Sequence, residues 1–151
     1  MWTMAAALFP LSLTASQAPE RVGVFRTPSI VVAYYRSGLW LEQVRQRRDE
    51  LKTAKRAGDR RKVEELQKWG RESQRLAHRQ LAGKAPVDNI LDALQPLLGE
   101  VARRAGVSRV VLDAPPGAET VDVTSHILDA LHADAATRKM VERLRRKPGS
   151  L

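Results

Sequence analysis

The chain has 151 residues, enough for one domain with a modest core, and its 26 Lys and Arg residues exceed its 17 Asp and Glu residues by nine. It contains no cysteine, which excludes a disulfide framework, a thiolate nucleophile and a cysteine-based zinc site. Fourteen basic and seven acidic residues lie between Ser37 and Lys84, so this middle segment carries seven of the nine net charges and is where a polyanion or acidic partner would act.

The first eighteen residues are apolar and small, and they resemble an export signal with a small-x-small cleavage site at Ser16-Gln17-Ala18. Two features are atypical: no Lys or Arg precedes the apolar run, and Pro19 follows the cleavage site. The run is interrupted by Pro10 and is shorter than the roughly 20 apolar residues that a membrane span requires. We therefore expect an exported protein without an anchor, with a disordered tail as the alternative for residues 1–20.

The segment Val22 to Phe25 predicts a short buried strand, and Thr27-Pro28 predicts a helix start with Thr27 as N-cap. Three consecutive β-branched residues, Ile30 to Val32, disfavour that helix. Tyr34 and Tyr35 are adjacent, so we expect one of them to be buried and assign neither to a ligand. A kink is predicted at Ser37-Gly38.

The segment from Leu39 onward predicts an antiparallel helical hairpin. Apolar residues at three- and four-residue spacing form one narrow stripe in each half, with Gly58-Asp59 as the turn between them. Trp40 and Trp69 fall on or near these stripes, so we favour packing within the hairpin over contact with a bound protein. The first helix, of roughly 20 residues, would extend about 30 Å.

Gly83 to Pro86 predicts the end of the hairpin, because proline lacks a backbone donor and disfavours helical geometry in the residue before it. A broader apolar face then predicts a body helix that begins at Asp88 or Asn89 and ends at Gly106. Arg109 to Asp113 and Thr120 to Val123 predict strands. Thr124 is the predicted cap of the last body helix.

Several of these pieces resemble the Skp/OmpH family of periplasmic chaperones. The matching segments are Val22 to Phe25, Val101 to Gly106, Val110 to Ala114 and Val121 to Leu128, and the turn from Ala57 to Lys62 resembles the tip of that family's hairpin. The resemblance covers about residues 21–133 and rests on short motifs. It implies a trimer whose sheets form a shared body and whose three arms enclose unfolded outer-membrane proteins.

The chain departs from that family in two respects: its arm is several turns shorter, and Pro86 interrupts a helix that the family runs continuously. Both departures bear on the volume that the arms would enclose. The segments Val32 to Ser37, Ala85 to Asp88 and Thr137 to Lys139 also resemble a group of uncharacterised exported bacterial proteins of the same plan. That second resemblance is the closer of the two and implies no activity.

The fold class predicted is α+β and mostly helical, with a small antiparallel or mixed sheet and a projecting antiparallel two-helix arm. We assign residues 21–135 to one domain, with the arm at about 38–83 and the body at 21–37 and 87–135. Residues 136–151 are predicted to be a basic, partly helical tail.

The arm's basic residues are the candidate site for an unfolded protein or a polyanion, because clustered Lys and Arg raise the local potential. The alternative is a solvated face with ion pairs between neighbours such as Asp49 and Lys52. The candidate residues are Arg45, Arg48, Lys52, Lys55, Arg56, Arg60, Arg61, Lys62, Lys68 and Arg71.

Nothing in the sequence favours catalysis, a metal or a cofactor. His78, His126 and His132 are scattered without metal-ligand spacing, no serine lies in a nucleophile-elbow pattern, and there is no glycine-rich phosphate loop. Asp113 and Asp122 stand at predicted strand ends, where capping or turn roles are more frequent than a catalytic pair. We therefore predict that the protein is not an enzyme.

We predict an exported, trimeric holdase-like chaperone that binds unfolded envelope proteins through many weak contacts of its basic arms. One alternative is an envelope scaffold whose arm packs on a dedicated partner helix. Another is a protein that binds a polyanion such as lipid A, an anionic lipid surface or nucleic acid. Export argues against nucleic acid, although an isoelectric point near 10.6 would suit it.

Overall fold

The structure, a computed structural model, describes residues 18–146, so nearly all of the proposed export signal lies outside the described residues. The protein is mostly helical with a small three-stranded sheet, as predicted. The elements are β1 (Arg21–Val24), α1 (Thr27–Tyr35), α2 (Gly38–Ala57), α3 (Arg60–Leu81), α4 (Asp88–Ala105), β2 (Arg109–Val110), β3 (Glu119–Asp122), α5 (Thr124–Ala130) and α6 (Ala135–Arg146).

The sheet is parallel, so the prediction of an antiparallel or mixed sheet was wrong. Its order is β2-β1-β3, with Val22 opposite Arg109 on one side and Thr120 on the other. After α4 the chain re-enters the sheet in the direction of β1, and residues 111–118 then cross back before β3. Residues 111–118 thus join two parallel strands on opposite sides of β1, with fewer residues than the dozen or more that usually connect parallel strands.

The central strand packs tightly against the loop ends beside it. Val22 is fully buried, and a Cβ atom at Gly23 would lie 2.8 Å from Cγ1 of Val123 and 3.2 Å from Cγ2 of Val107. Only a residue without a side chain fits between those two valines. Gly23 therefore sets how closely β1 approaches the rest of the body.

Helix α1 is the core of the body. Its six residues from Ser29 to Tyr34 are all buried, and α3, α5 and α6 all pack against it. This burial on all sides explains why three β-branched residues in succession form a helix here, since tertiary packing outweighs their intrinsic preference. Ile90 and Leu94 of α4 and Ile127 of α5 complete the core.

Helices α2 and α3 form the predicted hairpin, which we call the arm. Gly58 ends α2 in the left-handed conformation at φ 70°, and the Asp59 carboxylate accepts the backbone N–H of Lys62 at 3.0 Å. The rings of Trp40 and Trp69 stack with centroids 5.7 Å apart, which confirms that they pack against each other. Between the arm helices, Ala54 and Leu66 are the buried apolar residues.

A buried glutamine holds the root of the arm. Gln80 is 1% exposed; its Oε1 accepts the hydroxyl of Tyr35 at 2.8 Å, and its Nε2 donates to Pro86 O at 2.7 Å and to Asn89 Oδ1 at 2.6 Å. The break predicted at Gly83 to Pro86 separates α3 from α4. Gln80 therefore connects three segments, namely α1, the break and the start of α4.

Two predicted helix caps were wrong. Thr27 is the first residue of α1 and makes no capping hydrogen bond. Thr124 is the first residue of α5; its hydroxyl accepts the N–H of Arg26 at 3.2 Å, while its own N–H donates to Asp122 Oδ1 at 2.9 Å. The capping role therefore falls to the aspartate two residues earlier, whose carboxylate is a stronger acceptor.

The segment predicted as a tail contains α6, which packs on α1. Val141 and Thr137 are buried, and the Thr137 hydroxyl accepts the guanidinium Nε of Arg36 at 2.9 Å. The predicted strand from Arg109 to Asp113 is shorter than expected and pairs only over Arg109 and Val110. Residues 147–151 lie outside the described part of the chain.

Candidate binding surface on the helical arm

All ten predicted binding residues lie on the arm, and all are exposed except Lys62, which is half-buried. Four of them are in ion pairs with neighbouring carboxylates, namely Arg45, Lys52, Lys62 and Lys68. The pair that the sequence indicated, Lys52 with Asp49, is present at 3.4 Å. The other six have no carboxylate within ion-pair distance among the described residues: Arg48, Lys55, Arg56, Arg60, Arg61 and Arg71.

The cations that begin α3 occupy positions that do not favour the helix. Helix α3 begins with Arg60, Arg61 and Lys62, and its first turn holds no acidic residue. The N-terminal end of a helix carries partial positive charge, so cations there cost about 0.3–1 kcal/mol each at low salt. Asp59 offsets this only in part, by accepting one backbone N–H. Residues that oppose local stability in this way are typical of functional surfaces.

Two cations that continue a series begun by the predicted Arg71 were missed from the sequence, namely Arg75 and Arg79. Arg71, Arg75 and Arg79 follow one another at four-residue spacing on α3, and all three are exposed. Like charges at this spacing destabilise an isolated helix by about 0.2–0.5 kcal/mol per pair. The four-residue spacing is visible in the sequence, but counting basic residues does not show which of them lack an acidic neighbour in the folded chain. Arg75 and Arg79 therefore join the candidate surface.

The basic face of α3 points away from the arm's packing seam. With 3.6 residues per turn, Arg71, Arg75 and Arg79 fall within about 80° of one another, and the buried Leu66 and Gln80 lie on the opposite side. Between Ser37 and Lys84, five of the fourteen cations are in ion pairs with carboxylates, which leaves nine, eight of them on the two arm helices. The arm can therefore bind anionic groups without first breaking its own ion pairs.

The aromatic residues of the arm root belong to packing. Tyr34 is 3% exposed, its ring lies 5.1 Å from that of Tyr35, and both rings contact Trp40. Burial raises the pKa of both tyrosine hydroxyls. The guanidinium of Arg47 lies 5.6 Å from the centre of the Trp69 ring and makes a cation–π contact with it.

The residues with possible catalytic chemistry lie far apart in the fold. His78 is exposed on α3, His126 is half-buried on α5, and His132 follows α5 in the left-handed conformation at φ 52°. Within residues 18–146 no group of three His, Cys, Asp or Glu side chains is placed to hold a metal ion. Burial opposes ionisation of Asp122, but hydrogen bonds from Thr124 outweigh it and lower its pKa, as expected for a turn-forming carboxylate.

A groove of about 430 Å³ lies at the arm root, between the start of α1, the break after α3 and the residue Leu112. Leu81 and Leu112 line it and are 41% and 43% exposed. Asp88 is the one ionisable residue in its lining, so the groove lacks the paired titratable groups that acid–base catalysis requires. The strongest chemical signal among the described residues is therefore the charge of the arm.

Among residues 18–146, none of the helices combines the length and apolar composition needed to cross a membrane. Comparisons with protein-family models, with curated proteins and with solved structures find no match to this chain. The resemblance to the Skp/OmpH family therefore stays a prediction that rests on the short motifs given above.

Proposed function

We propose that the protein is an exported holdase-like chaperone that binds unfolded envelope proteins, its clients, through the basic arm. The observation that carries the proposal is an arm of two polar helices on which eight cations have no carboxylate partner among the described residues. An arm with many separate cations suits a client without fixed structure, because each contact is weak and avidity supplies the affinity.

Assembly into a trimer is part of this proposal. Both outer strands of the sheet, β2 and β3, lack a further neighbour among the described residues, so each presents backbone N–H and C=O groups at an open edge. Pairing between copies would satisfy those groups and bring several arms together. Mass measurement in solution tests this step: a trimer supports it, and a monomer at all concentrations contradicts it.

The main test is the refolding of an aggregation-prone outer-membrane protein diluted from urea, followed by light scattering with and without this chain. We expect suppression of aggregation that weakens as salt rises, because exposed charges are screened beyond about 10 Å at 0.1 M salt. Unchanged aggregation at every salt concentration would contradict the proposal.

A matched pair of variants locates the activity. Replacing the four tip cations Lys55, Arg56, Arg60 and Arg61 with glutamine is expected to reduce suppression. The control replaces four exposed cations of α6 with glutamine, namely Lys139, Arg143, Arg145 and Arg146, and so removes the same charge from the body. Equal loss in both variants would show that net charge, and not the arm, accounts for the effect.

A further inference from the structure

We propose that Arg71, Arg75 and Arg79, here called the arginine ladder, form a docking site for an acidic helix of a partner protein. This inference goes beyond client holding and does not depend on it, since it concerns a folded partner with regularly spaced carboxylates. The three residues share one exposed face of α3, on the side away from α2.

The ladder is regular and open. Successive members are four residues apart, so their Cα atoms rise along the helix axis in steps of about 6 Å. No carboxylate lies within ion-pair distance of any of them in the described part of the chain, and the adjacent Glu72 pairs with Lys68. Arg79 donates one N–H to Lys84 O at 3.1 Å, which orients its guanidinium while leaving other donors available.

The spacing identifies the partner as a helix. Carboxylates at positions i, i+4 and i+8 of a second helix also rise in steps of about 6 Å, so three pairs form together when the two helices lie side by side. The guanidinium fork matches a carboxylate with two parallel hydrogen bonds, which gives the ladder directional preference. A flexible polyanion has no such fixed step and would be drawn equally to the tip residues Arg60 and Arg61.

The composition of this face also determines how the partner is recognised. Gln67 and Gln74 on one side of the ladder and Glu72 on the other are polar and exposed, so these positions offer no apolar stripe for a partner to bury. Selection would therefore come from charge complementarity and be sensitive to salt, as charged contacts at the rim of coiled coils set partner choice. Any apolar contact would have to come from the partner alone.

The test uses the full chain and two synthetic helical peptides of one composition. In the ladder peptide, glutamates stand at i, i+4 and i+8; in the permuted peptide, the same glutamates are spread around the helix. We expect fluorescence anisotropy at low salt to show about tenfold tighter binding of the ladder peptide, with the difference lost as salt rises. Equal binding of the two peptides to the unmodified chain would overturn the proposal.

Two triple variants then locate the site. Arg71→Gln, Arg75→Gln and Arg79→Gln together should abolish the preference, while glutamine keeps the helix, as circular dichroism would verify. The control, Arg45→Gln, Lys52→Gln and Lys62→Gln, removes the same charge from cations already in ion pairs and should retain the preference. Equal loss in both, or tighter binding of inorganic polyphosphate or anionic vesicles through the ladder, would overturn helix recognition.

The outcome is separable from that of the proposed function. The ladder variant removes three unpaired arm cations, so it is expected to weaken suppression of aggregation in part, as the tip variant does, whereas only the ladder variant should lose the peptide preference. Loss of the peptide preference in the ladder variant, with the preference retained in the tip variant, supports the ladder as a separate site. Preserved peptide preference in the ladder variant would instead contradict it, whatever the aggregation result.

Discussion

Helices α1 and α3 represent the two regions of this molecule and are stabilised in different ways. In α1 the six residues from Ser29 to Tyr34 are all buried, whereas α3, more than twice as long, buries only Leu66 and Gln80. The body helix has poor intrinsic helical preference and is held by packing. The arm helix depends on its own backbone, its ion pairs and one narrow seam. Stability therefore resides in the body, and the arm is free to carry charge that stability alone would not favour.

The largest expected effect compares one truncation in each region. Ile127→Ala in the body should lower the free energy of unfolding by about 2–5 kcal/mol, because Ile127 is 1% exposed and the surrounding core cannot collapse fully around the cavity. Leu66→Ala in the arm should cost at or below the lower end of that range, since only a two-helix seam surrounds it. Urea unfolding of both variants measures this, and equal costs would contradict the division between body and arm.

Glycine provides the next comparison, in which one substitution should have opposite signs in the two regions. Gly23→Ala places a methyl group 2.8 Å from Val123 and should cost about 1–3 kcal/mol. Gly70→Ala in α3 meets no atom within 4 Å and should stabilise the chain by about 0.5–1 kcal/mol through better helical preference. Thermal unfolding of both variants is the measurement. If Gly23→Ala stabilised the chain, the space between β1 and Val123 would be large enough for a methyl group.

The features predicted from the sequence are those with local causes. Glycine and proline determine the backbone conformation at their own positions. The sequence therefore correctly predicted the turn at Gly58-Asp59, the break from Gly83 to Pro86 and the helix end at Gly106. The direction of the strands could not be predicted, because the side-chain pattern of strands of two and four residues does not show whether neighbouring strands run parallel or antiparallel. Gln80 could not be recognised either: a glutamine in a polar helix looks solvent-exposed until Tyr35 and Asn89 are seen beside it.

The candidate surface was predicted in the same partial way. The sequence placed the basic residues on the arm, and all ten are there. It did not separate cations such as Arg45, which is in an ion pair, from Arg75, which is not, because pairing depends on side-chain geometry. Helix α6 was also hard to place on the body, since its burial is limited to Thr137 and Val141.

Gln80 connects the arm to the body, and a double-mutant cycle with Tyr35 measures the coupling free energy between the two side chains. Gln80→Leu leaves the Tyr35 hydroxyl and the Pro86 carbonyl without their protein partner and should cost about 1–3 kcal/mol. Tyr35→Phe removes one of those groups, so the combined variant should cost less than the sum of the two single variants. Additive costs would indicate that the arm root is held by packing alone.

The smallest expected effect concerns acid and the attachment of α6 to the body. The side-chain and backbone groups of Thr137 hydrogen-bond to the Asp134 carboxylate, the backbone N–H at 2.7 Å, and they lower its pKa. A carboxyl group whose pKa is lowered by folding contributes stability above its unfolded pKa, and that contribution disappears as pH falls through the folded value. Asp134→Asn should therefore flatten the acid side of the stability profile, measured as urea midpoints between neutral and acid pH. The control is Asp92→Asn on the exposed face of α4, where no hydrogen-bond partner is present among the described residues. If Asp134→Asn and Asp92→Asn change the profile equally, α6 is not held by this carboxylate, and its place on the body depends on the burial of Val141 and Thr137.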